Sequence, residues 1–325
     1  MQERVLVTGG AGFIGSHLAE ALVASGRRVT ALDDFSTGRF DNIAHLQGDE
    51  RFALVAGSIC DRQLVEELAR AHDKIFHLAA VVGVRNVIED PVRTIETNIA
   101  GTETVLEYAA RYARPTLVAS TSEVYGKSED LPFREDGDCV LGPSSRRRWA
   151  YACSKLLDEF LALAYRLKTG LPVVIARLFN VVGPRQTGRY GMVLPTFVGQ
   201  ALRGEPLTVY GDGTQRRTFC DVQDVVPALL ALMDSERARG EVVNLGGTQA
   251  VSMNELARLV LEVTGSSSQV VHVPYDRAYP AGFEDMQARV PDISKAERLV
   301  GFRPGTDLRH TIARVAAAMR DSARS

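Results

Sequence analysis

Tyr151 and Lys155 are the two residues whose types and spacing suggest proton transfer most directly. They lie in WAYACSKLLDEFLALAY, a segment whose apolar residues recur at helical spacing. A separation of four residues places both side chains on one helix face, one turn apart. An ammonium group beside a phenol favours the phenolate and lowers the pKa of the tyrosine. The spacing therefore predicts a tyrosine that acts as a general base.

A second candidate group follows the apolar run TLVAS, where the chain continues as TSEVYG. Thr121, Ser122 and Glu123 place two hydroxyls and a carboxylate in a row. Hydroxyl side chains at a strand end are compatible with capping of the following turn. A carboxylate that points into a crevice beside them would instead take part in chemistry. These residues alone leave both interpretations open.

The N-terminal segment VTGGAGFIGSH contains Gly9, Gly12 and Gly15 between an apolar strand and a helical pattern. Glycines at this spacing allow a tight turn, a close approach to a pyrophosphate, and a helix N-terminus that faces the phosphates. Asp33 ends the second predicted strand, eighteen residues after Gly15. An acid there binds a ribose 2′-hydroxyl and repels a 2′-phosphate, which favours NAD over NADP. Lys155 could then hydrogen-bond the nicotinamide ribose.

The segment Gly57–Asp61 follows the third predicted strand. An adenine ring could rest on Ile59 at this strand end. Asp61 precedes a helical pattern, so we interpret it as the N-cap of that helix rather than as a ligand contact.

These groups must be positioned by an alternation of strands and helices. Buried strands are predicted at 4–9, 28–33, 51–57, 74–79, 116–121 and 172–179, and helical patterns lie at 14–25, 62–72 and 96–113. Apolar strands that alternate with helices predict an α/β fold with a doubly wound parallel sheet. Helices dominate after residue 180, at 192–203, 223–233, 252–264 and 306–320.

We therefore predict a nucleotide-binding domain over 1–180 and a smaller C-terminal α/β substrate-binding lobe over 181–325. Residues from about 218 to 247 are expected to return to the first domain. Capping boxes are predicted at Ser252 with Glu255 and at Ser294 with Glu297.

The bulk composition narrows the classes of function. A net charge of −2 over 325 residues gives no overall attraction to nucleic acid or membrane, and the basic run Arg146–Arg148 predicts a solvated face. The apolar run Val225–Met233 is too short to span a bilayer. Neither a signal peptide nor a metal site is expected. The four cysteines lack CxxC spacing, which favours a reducing cytoplasm over a disulfide framework: Cys60, Cys139, Cys153 and Cys220.

Taken together, these motifs resemble the extended short-chain dehydrogenase/reductases that act on nucleotide sugars and have a Rossmann-type fold. Further matches are HLAA (77–80), Asn98, RLFNVVGPR (177–185), YGDGTQRRTFCDVQDVV (210–226) and NLGG (244–247), so the resemblance covers nearly the full length. It implies NAD as cofactor. The cofactor-binding residues that it implies are Gly9, Gly12, Phe13, Ile14, Gly15, Asp33, Ser58, Ile59, Leu78, Ala79, Ala80, Asn98, Tyr151 and Lys155.

The resemblance also implies that the C-terminal lobe binds a UDP-sugar. Arg217 matches a diphosphate-binding arginine, Asn180 matches a residue that contacts the diphosphate or sugar, and 192–211 resembles a uridine-binding wall. The implied substrate-binding residues are Arg85, Asn180, Arg185, Val193, Leu194, Val209, Tyr210, Arg217 and Arg289. The family further implies a homodimer built through a four-helix bundle, for which 96–113 and 149–169 are candidates.

Within the family, the residues after Thr121 distinguish reactions that all begin with oxidation at C4. A 4,6-dehydratase has Thr-Asp-Glu there, and Ser122 is too weak an acid to replace the aspartate. A plain 4-epimerase usually has small hydroxyls and needs no carboxylate. Thr121-Ser122-Glu123 resembles the UDP-glucuronic acid decarboxylases, in which the 4-keto sugar is a β-keto acid that loses CO2. The product would be a UDP-4-keto-pentose or UDP-xylose.

The segment 280–296 resembles the same decarboxylases and brings in Arg289, which could clamp a carboxylate bidentately. Arg148 and Trp149 also match the Arg-Trp that these enzymes have before the tyrosine. Thr121, Ser122, Glu123, Tyr151, Lys155 and Arg289 are therefore the predicted catalytic residues. The alternatives are a 4-epimerase acting on UDP-glucuronate or UDP-glucose, a dehydratase, and a non-catalytic NAD sensor, which the presence of both Tyr151 and Lys155 disfavours.

Overall fold

The computed structural model describes residues 2–83, 90–188, 191–278 and 286–322. Its strands are β1 (Arg4–Thr8), β2 (Arg28–Asp33), β3 (Phe52–Ala56), β4 (Lys74–His77), β5 (Thr116–Thr121), β6 (Val173–Phe179), β7 (Val181–Val182), β8 (Leu207–Tyr210), β9 (Arg216–Thr218), β10 (Cys220–Asp221), β11 (Val242–Gly246), β12 (Ala250–Ser252), β13 (Val270–Val273) and β14 (Ala288–Arg289).

The helices are α1 (Phe13–Ala24), α2 (Arg62–Ala71), α3 (Pro91–Arg111), α4 (Trp149–Thr169), α5 (Val193–Leu202), α6 (Val222–Asp234), α7 (Met253–Thr264), α8 (Tyr275–Ala278), α9 (Ser294–Val300) and α10 (Leu308–Ser322). None of those in the described ranges has the length and apolar character needed to cross a membrane. The six strands predicted for the first domain are all present. Helix α3 begins earlier than predicted, because Pro91 opens its first turn and the Asp90 side chain accepts the Arg93 N–H.

Seven parallel strands form the main sheet in the order β11-β6-β5-β4-β1-β2-β3, which confirms the predicted doubly wound fold. The strand order reverses next to β1, and ligands bind at the carboxyl ends of strands at such a switch point. One face of the sheet is covered by α1 and α6, and the other by α2, α3 and α4. Both faces are therefore apolar, as the near-continuous hydrophobic strands require.

The C-terminal lobe has its own small sheets and core. Strand β8 pairs with β13, and β9 pairs with both β12 and β14. Helices α5, α7 and α10 pack around an apolar cluster that includes Phe197, Leu256 and Ile312. The chain between these elements returns to the main sheet, where β11 lies beside β6 and α6 packs on α1.

The structure contains two of the three helix N-terminal caps that the sequence predicts. Ser252 and Glu255 form a complete capping box on α7, with hydrogen bonds of 2.7 and 3.1 Å. The Asp61 side chain accepts the Leu64 N–H, as expected for an N-cap of α2. The predicted box at Ser294 is wrong, since α9 already begins at Ser294 and its N–H donates to the Asp292 side chain.

Candidate active site

A cavity of about 930 Å³ opens where the strands of the main sheet end. Residues that end or follow the strands line its floor, among them Gly9 after β1, Asp33 in β2 and Thr121 in β5. Its other wall comes from the C-terminal lobe, through residues such as Tyr210 and Arg217. The cavity thus joins the predicted cofactor side to the predicted substrate side.

The glycine-rich turn after β1 leaves space that any larger residue would fill. A Cβ on Gly15 would lie 2.0 Å from the Gly9 carbonyl oxygen, and a Cβ on Gly9 would lie 2.8 Å from the Ala79 nitrogen. Gly9 also has a φ of +70°, which glycine adopts without strain. Phe13, Ile14 and Gly15 then open α1 against the cavity. This backbone concavity at a helix N-terminus fits a pyrophosphate group.

Asp33 is held in place by the turn itself. Its carboxylate accepts the N–H groups of Ala11 and Phe35, each at 2.9 Å. Burial raises the pKa of Asp33 in spite of these two hydrogen bonds. The side chain still lines the cavity. Its position, at the end of β2 beside the glycine turn, suits recognition of ribose hydroxyls.

The remaining predicted cofactor residues divide into two groups. Ile59, Leu78, Ala79 and Ala80 line the cavity. Ser58 does not, and its hydroxyl instead accepts the Cys60 N–H.

Asn98, the remaining residue predicted to bind the cofactor, is fully buried and is not among the residues that line the cavity. Its side chain accepts the Val81 N–H at 2.8 Å and donates to the Ser154 hydroxyl at 3.1 Å. It therefore holds the segment after β4 against α4.

Tyr151 and Lys155 both line the cavity from α4. Burial is the largest of the effects that raise the pKa of Tyr151, and the negative charge of Glu123 adds to it. A hydrogen bond with the Thr121 side chain acts in the opposite direction. The Lys155 ammonium lies 2.8 Å from the carboxylate of Asp158, and both side chains are buried. In the protein without ligands, burial therefore outweighs the expected lowering of the tyrosine pKa.

The Thr-Ser-Glu sequence both caps a short helix and lines the cavity. Strand β5 ends at Thr121, whose hydroxyl accepts the Glu123 N–H and caps the short 3-10 helix Ser122–Tyr125. The same three residues also line the cavity. The Ser122 hydroxyl is buried and has no hydrogen-bond partner among the described residues. Capping thus fixes the turn that presents a hydroxyl and a carboxylate to the site.

Glu123 lies between two arginines. Its Oε1 is 3.3 Å from Nη1 of Arg289, and its Oε2 is 3.5 Å from Nη1 of Arg148. Strand β14 pairs with β9 so that Arg289 lies opposite Arg217, which fixes Arg289 at the cavity wall. Two guanidinium groups therefore flank one carboxylate at the cavity wall. Guanidinium groups bind carboxylates well, so this part of the cavity suits a ligand that carries one.

Arg148 lies in a different environment from the solvated face that the run Arg146–Arg148 predicts. Arg146 and Arg147 are exposed, but Arg148 is 6% exposed and lines the cavity. It immediately precedes α4 and lies 5.4 Å from the ring of Trp149. The Arg-Trp pair before Tyr151 is the sequence signal that agrees with this position.

On the substrate side, Asn180, Arg185, Val193, Tyr210 and Arg217 line the cavity. The Asn180 amide donates to the Thr218 carbonyl, and Arg185 forms an ion pair with Glu20 at 2.6 Å. Burial of Arg217 is almost complete, and its Nη1 donates to the Arg216 carbonyl at 2.8 Å.

Leu194 and Val209, which were also predicted for the uridine wall, are fully buried in the core of the C-terminal lobe. Arg85 lies outside the described residues. All four cysteines are free thiols, and the described ranges hold no group of three or more residues that could bind a metal ion.

The family model and the relatives that match this chain agree with each other. The model of the NAD dependent epimerase/dehydratase family matches residues 5–246. The chain is 45% identical over 305 residues to UDP-N-acetyl-alpha-D-glucosaminuronate decarboxylase of Bacillus cytotoxicus, covering 94% of each chain. It is 40% identical to UDP-glucuronic acid decarboxylase 1 of Xenopus tropicalis, covering 93% of this chain and 69% of that one.

Among solved structures, the chain is similar to UDP-glucuronic acid 4-epimerase from Bacillus cereus in complex with UDP-glucuronic acid and NAD. The TM-score is 0.89 and the identity is 30%, over 98% of this chain and 99% of that one. A UDP-glucose 4-epimerase from Thermotoga maritima, solved with UDP-glucose, has a TM-score of 0.87 at the same identity, over 98% of this chain and 99% of that one.

Proposed function

The chain belongs to the NAD dependent epimerase/dehydratase family, and we propose that it decarboxylates UDP-glucuronic acid through oxidation at C4. The observation that carries this proposal is the placement of Glu123 between Arg148 and Arg289, beside Tyr151. Two guanidinium groups next to a general base suit a sugar whose C6 is a carboxylate. The names of relatives at 40–45% identity support the same reaction.

The residues present fit NAD as the resident cofactor. We propose that the turn Gly9–Gly15 would hold the pyrophosphate, Asp33 the adenosine ribose and Ile59 the adenine, while Lys155 would donate to the nicotinamide ribose. When bound, NAD supplies the hydride acceptor at C4 and the hydride donor for its return.

Tyr151 is assigned the first proton transfer. Its phenol hydrogen-bonds the Thr121 side chain, so both groups can surround the 4-oxygen of a bound sugar. Tyr151 takes the proton of the 4-hydroxyl as C4 is oxidised to a ketone. Burial and Glu123 oppose the phenolate, so the Lys155 ammonium one turn away must favour it.

The carboxylate then leaves from the 4-keto sugar. The bond between C5 and C6 breaks, its electron pair moves to the 4-oxygen as an enolate, and C6 leaves as CO2. Arg148 and Arg289 hold the carboxylate in the orientation for this cleavage. The Ser122 hydroxyl, which has no other partner among the described residues, binds the sugar. A proton then adds to C5, and reduction of the ketone gives UDP-xylose.

Incubation with NAD+ and UDP-glucuronic acid, followed by mass spectrometry of the nucleotide sugar, tests the proposal. We expect a product lighter by one CO2, and no product from a Tyr151→Phe variant. Accumulation of NADH would identify the released product as the 4-keto-pentose. A new isomer of unchanged mass would identify a 4-epimerase and contradict the proposal. UDP-N-acetylglucosaminuronic acid should be compared in parallel, because the Bacillus relative is named for it.

We also propose a homodimer formed by α3 and α4, which pack against each other along one side of the main domain. Their outer surface exposes large apolar side chains: Val92 is 62% exposed, Leu157 45% and Phe160 64%. A second copy of the same two helices would cover this surface and form a four-helix bundle. A cytoplasmic location is proposed as well, since none of the four cysteines forms a disulfide.

A further inference from the structure

A buried carboxylate lies directly behind the active-site lysine. Tyr151, Lys155 and Asp158 are four and three residues apart on α4 and therefore share one helix face. The first two line the cavity, whereas the Asp158 side chain is 1% exposed. Its Oδ2 lies 2.8 Å from Nζ of Lys155, so the two side chains form a buried ion pair.

The ion pair is backed by a line of buried polar groups that crosses to the main sheet. Burial raises the pKa of Asp158, and the charge of Lys155 and the nearby Thr102 of α3 act in the opposite direction. Nε2 of His77 lies 3.0 Å from the Thr102 hydroxyl, and Nδ1 lies 2.8 Å from the Thr8 hydroxyl. Burial lowers the pKa of His77 to about 3, so this imidazole is neutral.

The Thr8 hydroxyl oxygen also accepts the Ala79 N–H at 3.2 Å, so these polar groups connect α3 to the ends of β1 and β4. Oδ1 of Asp158, in contrast, has no hydrogen-bond partner among the described residues. Among those residues, Lys155 is the hydrogen-bond partner of the Asp158 carboxylate.

We propose that Asp158 is a positioning residue, whose carboxylate keeps Lys155 protonated and aimed at the cavity and so sets the pH range in which the site works. A lysine ammonium in a desolvated site favours loss of its proton unless an anion compensates it. Asp158 is the anion in contact with Lys155. The proposal rests on the roles proposed above for Tyr151 and Lys155.

Among the described residues, the other titratable groups near this face of α4 are paired with arginines or are neutral. Glu123 faces Tyr151 from the end of β5 and is paired with the two arginines. Glu159, the neighbour of Asp158, lies 2.8 Å from Arg177 of β6. His77 is neutral. Neither carboxylate therefore replaces Asp158 as the partner of Lys155.

An Asp158→Asn variant keeps the shape of the side chain and removes its charge. The loss of this charge has two consequences, and both shift the pH profile of kcat/KM towards lower pH. Without the nearby anion the Tyr151 phenolate forms at lower pH, which moves the acid limb of kcat/KM towards acid. Without its counter-ion Lys155 loses its proton at lower pH, which moves the alkaline limb in the same direction. We expect a displacement of the whole profile by about one pH unit.

Two variants serve as controls for the pH profile. Asp158→Glu retains the charge and should restore the wild-type limbs. Glu159→Gln removes the adjacent carboxylate, which faces Arg177, and should leave the limbs in place even where the protein is less stable. If Asp158→Asn lowers activity equally at every pH and leaves both limbs unmoved, the residue is merely structural and the proposal is wrong.

The affinity for NAD gives a readout that does not depend on sugar chemistry. Calorimetric titration across pH should show that Asp158→Asn loses affinity about one pH unit before the wild type on the alkaline side. This result can be obtained even if the protein does not decarboxylate UDP-glucuronic acid, so the two proposals fail separately. An alkaline loss of affinity at the wild-type pH would overturn the inference.

Should Asp158→Asn not fold, the double variant Lys155→Met with Asp158→Asn removes the uncompensated buried charge. The alkaline loss of NAD affinity must then be absent, because no lysine remains to lose its proton. If the loss persists in the double variant, another group causes it and the assignment to Lys155 and Asp158 is refuted.

Discussion

Replacement of Arg148 by methionine tests whether the guanidinium groups around Glu123 recognise a substrate carboxylate. Methionine retains much of the length and apolar surface of the arginine stem but provides no hydrogen-bond donor. Glu123 would keep Arg289 as its partner at 3.3 Å. The variant would therefore remove one of the two guanidinium groups that can bind a ligand carboxylate.

The magnitude follows from the contact that is lost. A hydrogen bond to a charged group contributes about 1.5–3 kcal/mol. At about 1.4 kcal/mol for each factor of ten, this corresponds to a decrease in kcat/KM of roughly 10- to 150-fold for UDP-glucuronic acid. The upper part of the range is expected because Arg148 is 6% exposed and therefore largely desolvated.

The assay compares a substrate that has the carboxylate with a ligand that lacks it. Steady-state rates give kcat/KM for UDP-glucuronic acid, and calorimetry gives the affinity for UDP-xylose. The matched control is Arg147→Met, since Arg147 is the adjacent arginine but is exposed. Arg148→Lys should recover part of the activity, because it restores the charge without the planar fork.

The reasoning is refuted if Arg148→Met weakens the binding of UDP-xylose as much as it lowers kcat/KM for UDP-glucuronic acid. That result would assign Arg148 to the shape of the cavity rather than to the carboxylate. Thermal unfolding of each variant, measured in parallel, separates a loss of fold from a loss of recognition.

Three other perturbations test the fold that supports the site. Gly15→Ala would place a Cβ 2.0 Å from the Gly9 carbonyl oxygen, so we expect a loss of about 1–3 kcal/mol in unfolding free energy and a loss of NAD binding by calorimetry. Unchanged NAD binding would contradict the proposed pyrophosphate site at the glycine-rich turn. Burial lowers the pKa of His77 from 6.5 to about 3, so its contribution to stability is complete above pH 6.5 and falls by about 1.4 kcal/mol per pH unit below it. In urea unfolding across this pH range, the unfolding free energy of His77→Gln should depend less steeply on pH than that of the wild type. An equal dependence would show that His77 is not its source. Phe160→Glu should convert a dimer into a monomer in analytical ultracentrifugation, whereas a dimer that persists would place the interface elsewhere.

The parts of the site that lie on regular elements could be predicted from sequence. The glycine spacing, Asp33 at a strand end, and the four-residue separation of Tyr151 and Lys155 all reflect fixed periods of helix and strand. These periods determine which side chains share a face. The fold class followed from the same patterns, because near-continuous apolar strands require helices on both faces of the sheet.

Residues placed by tertiary contacts could not be predicted in the same way. Arg148 belongs to a run of arginines that is typical of a solvated loop, and only the folding of that loop over the cavity buries it. Val209 and Tyr210 were both assigned to the uridine wall, but alternate residues of a strand face opposite sides. The structure places Tyr210 at the cavity and Val209 in the core.

The capping box predicted at Ser294 is absent because a neighbouring polar side chain accepts the N–H group of Ser294. Ser294 precedes Glu297 at capping-box spacing, but Asp292 lies two residues earlier and accepts the Ser294 N–H at 2.8 Å. The spacing alone does not show which of two neighbouring polar side chains will accept the N–H groups at a helix start.

The central claim is that a 4-keto intermediate loses its C6 carboxylate and takes up a proton at C5. The most direct test is the reaction of the protein with NAD+ and UDP-glucuronic acid in deuterium oxide, with the product analysed by mass spectrometry and NMR. The account predicts a pentose product that has lost CO2 and carries one deuterium at C5. A hexuronic acid isomer with its carboxylate intact and no deuterium at C5 would contradict it.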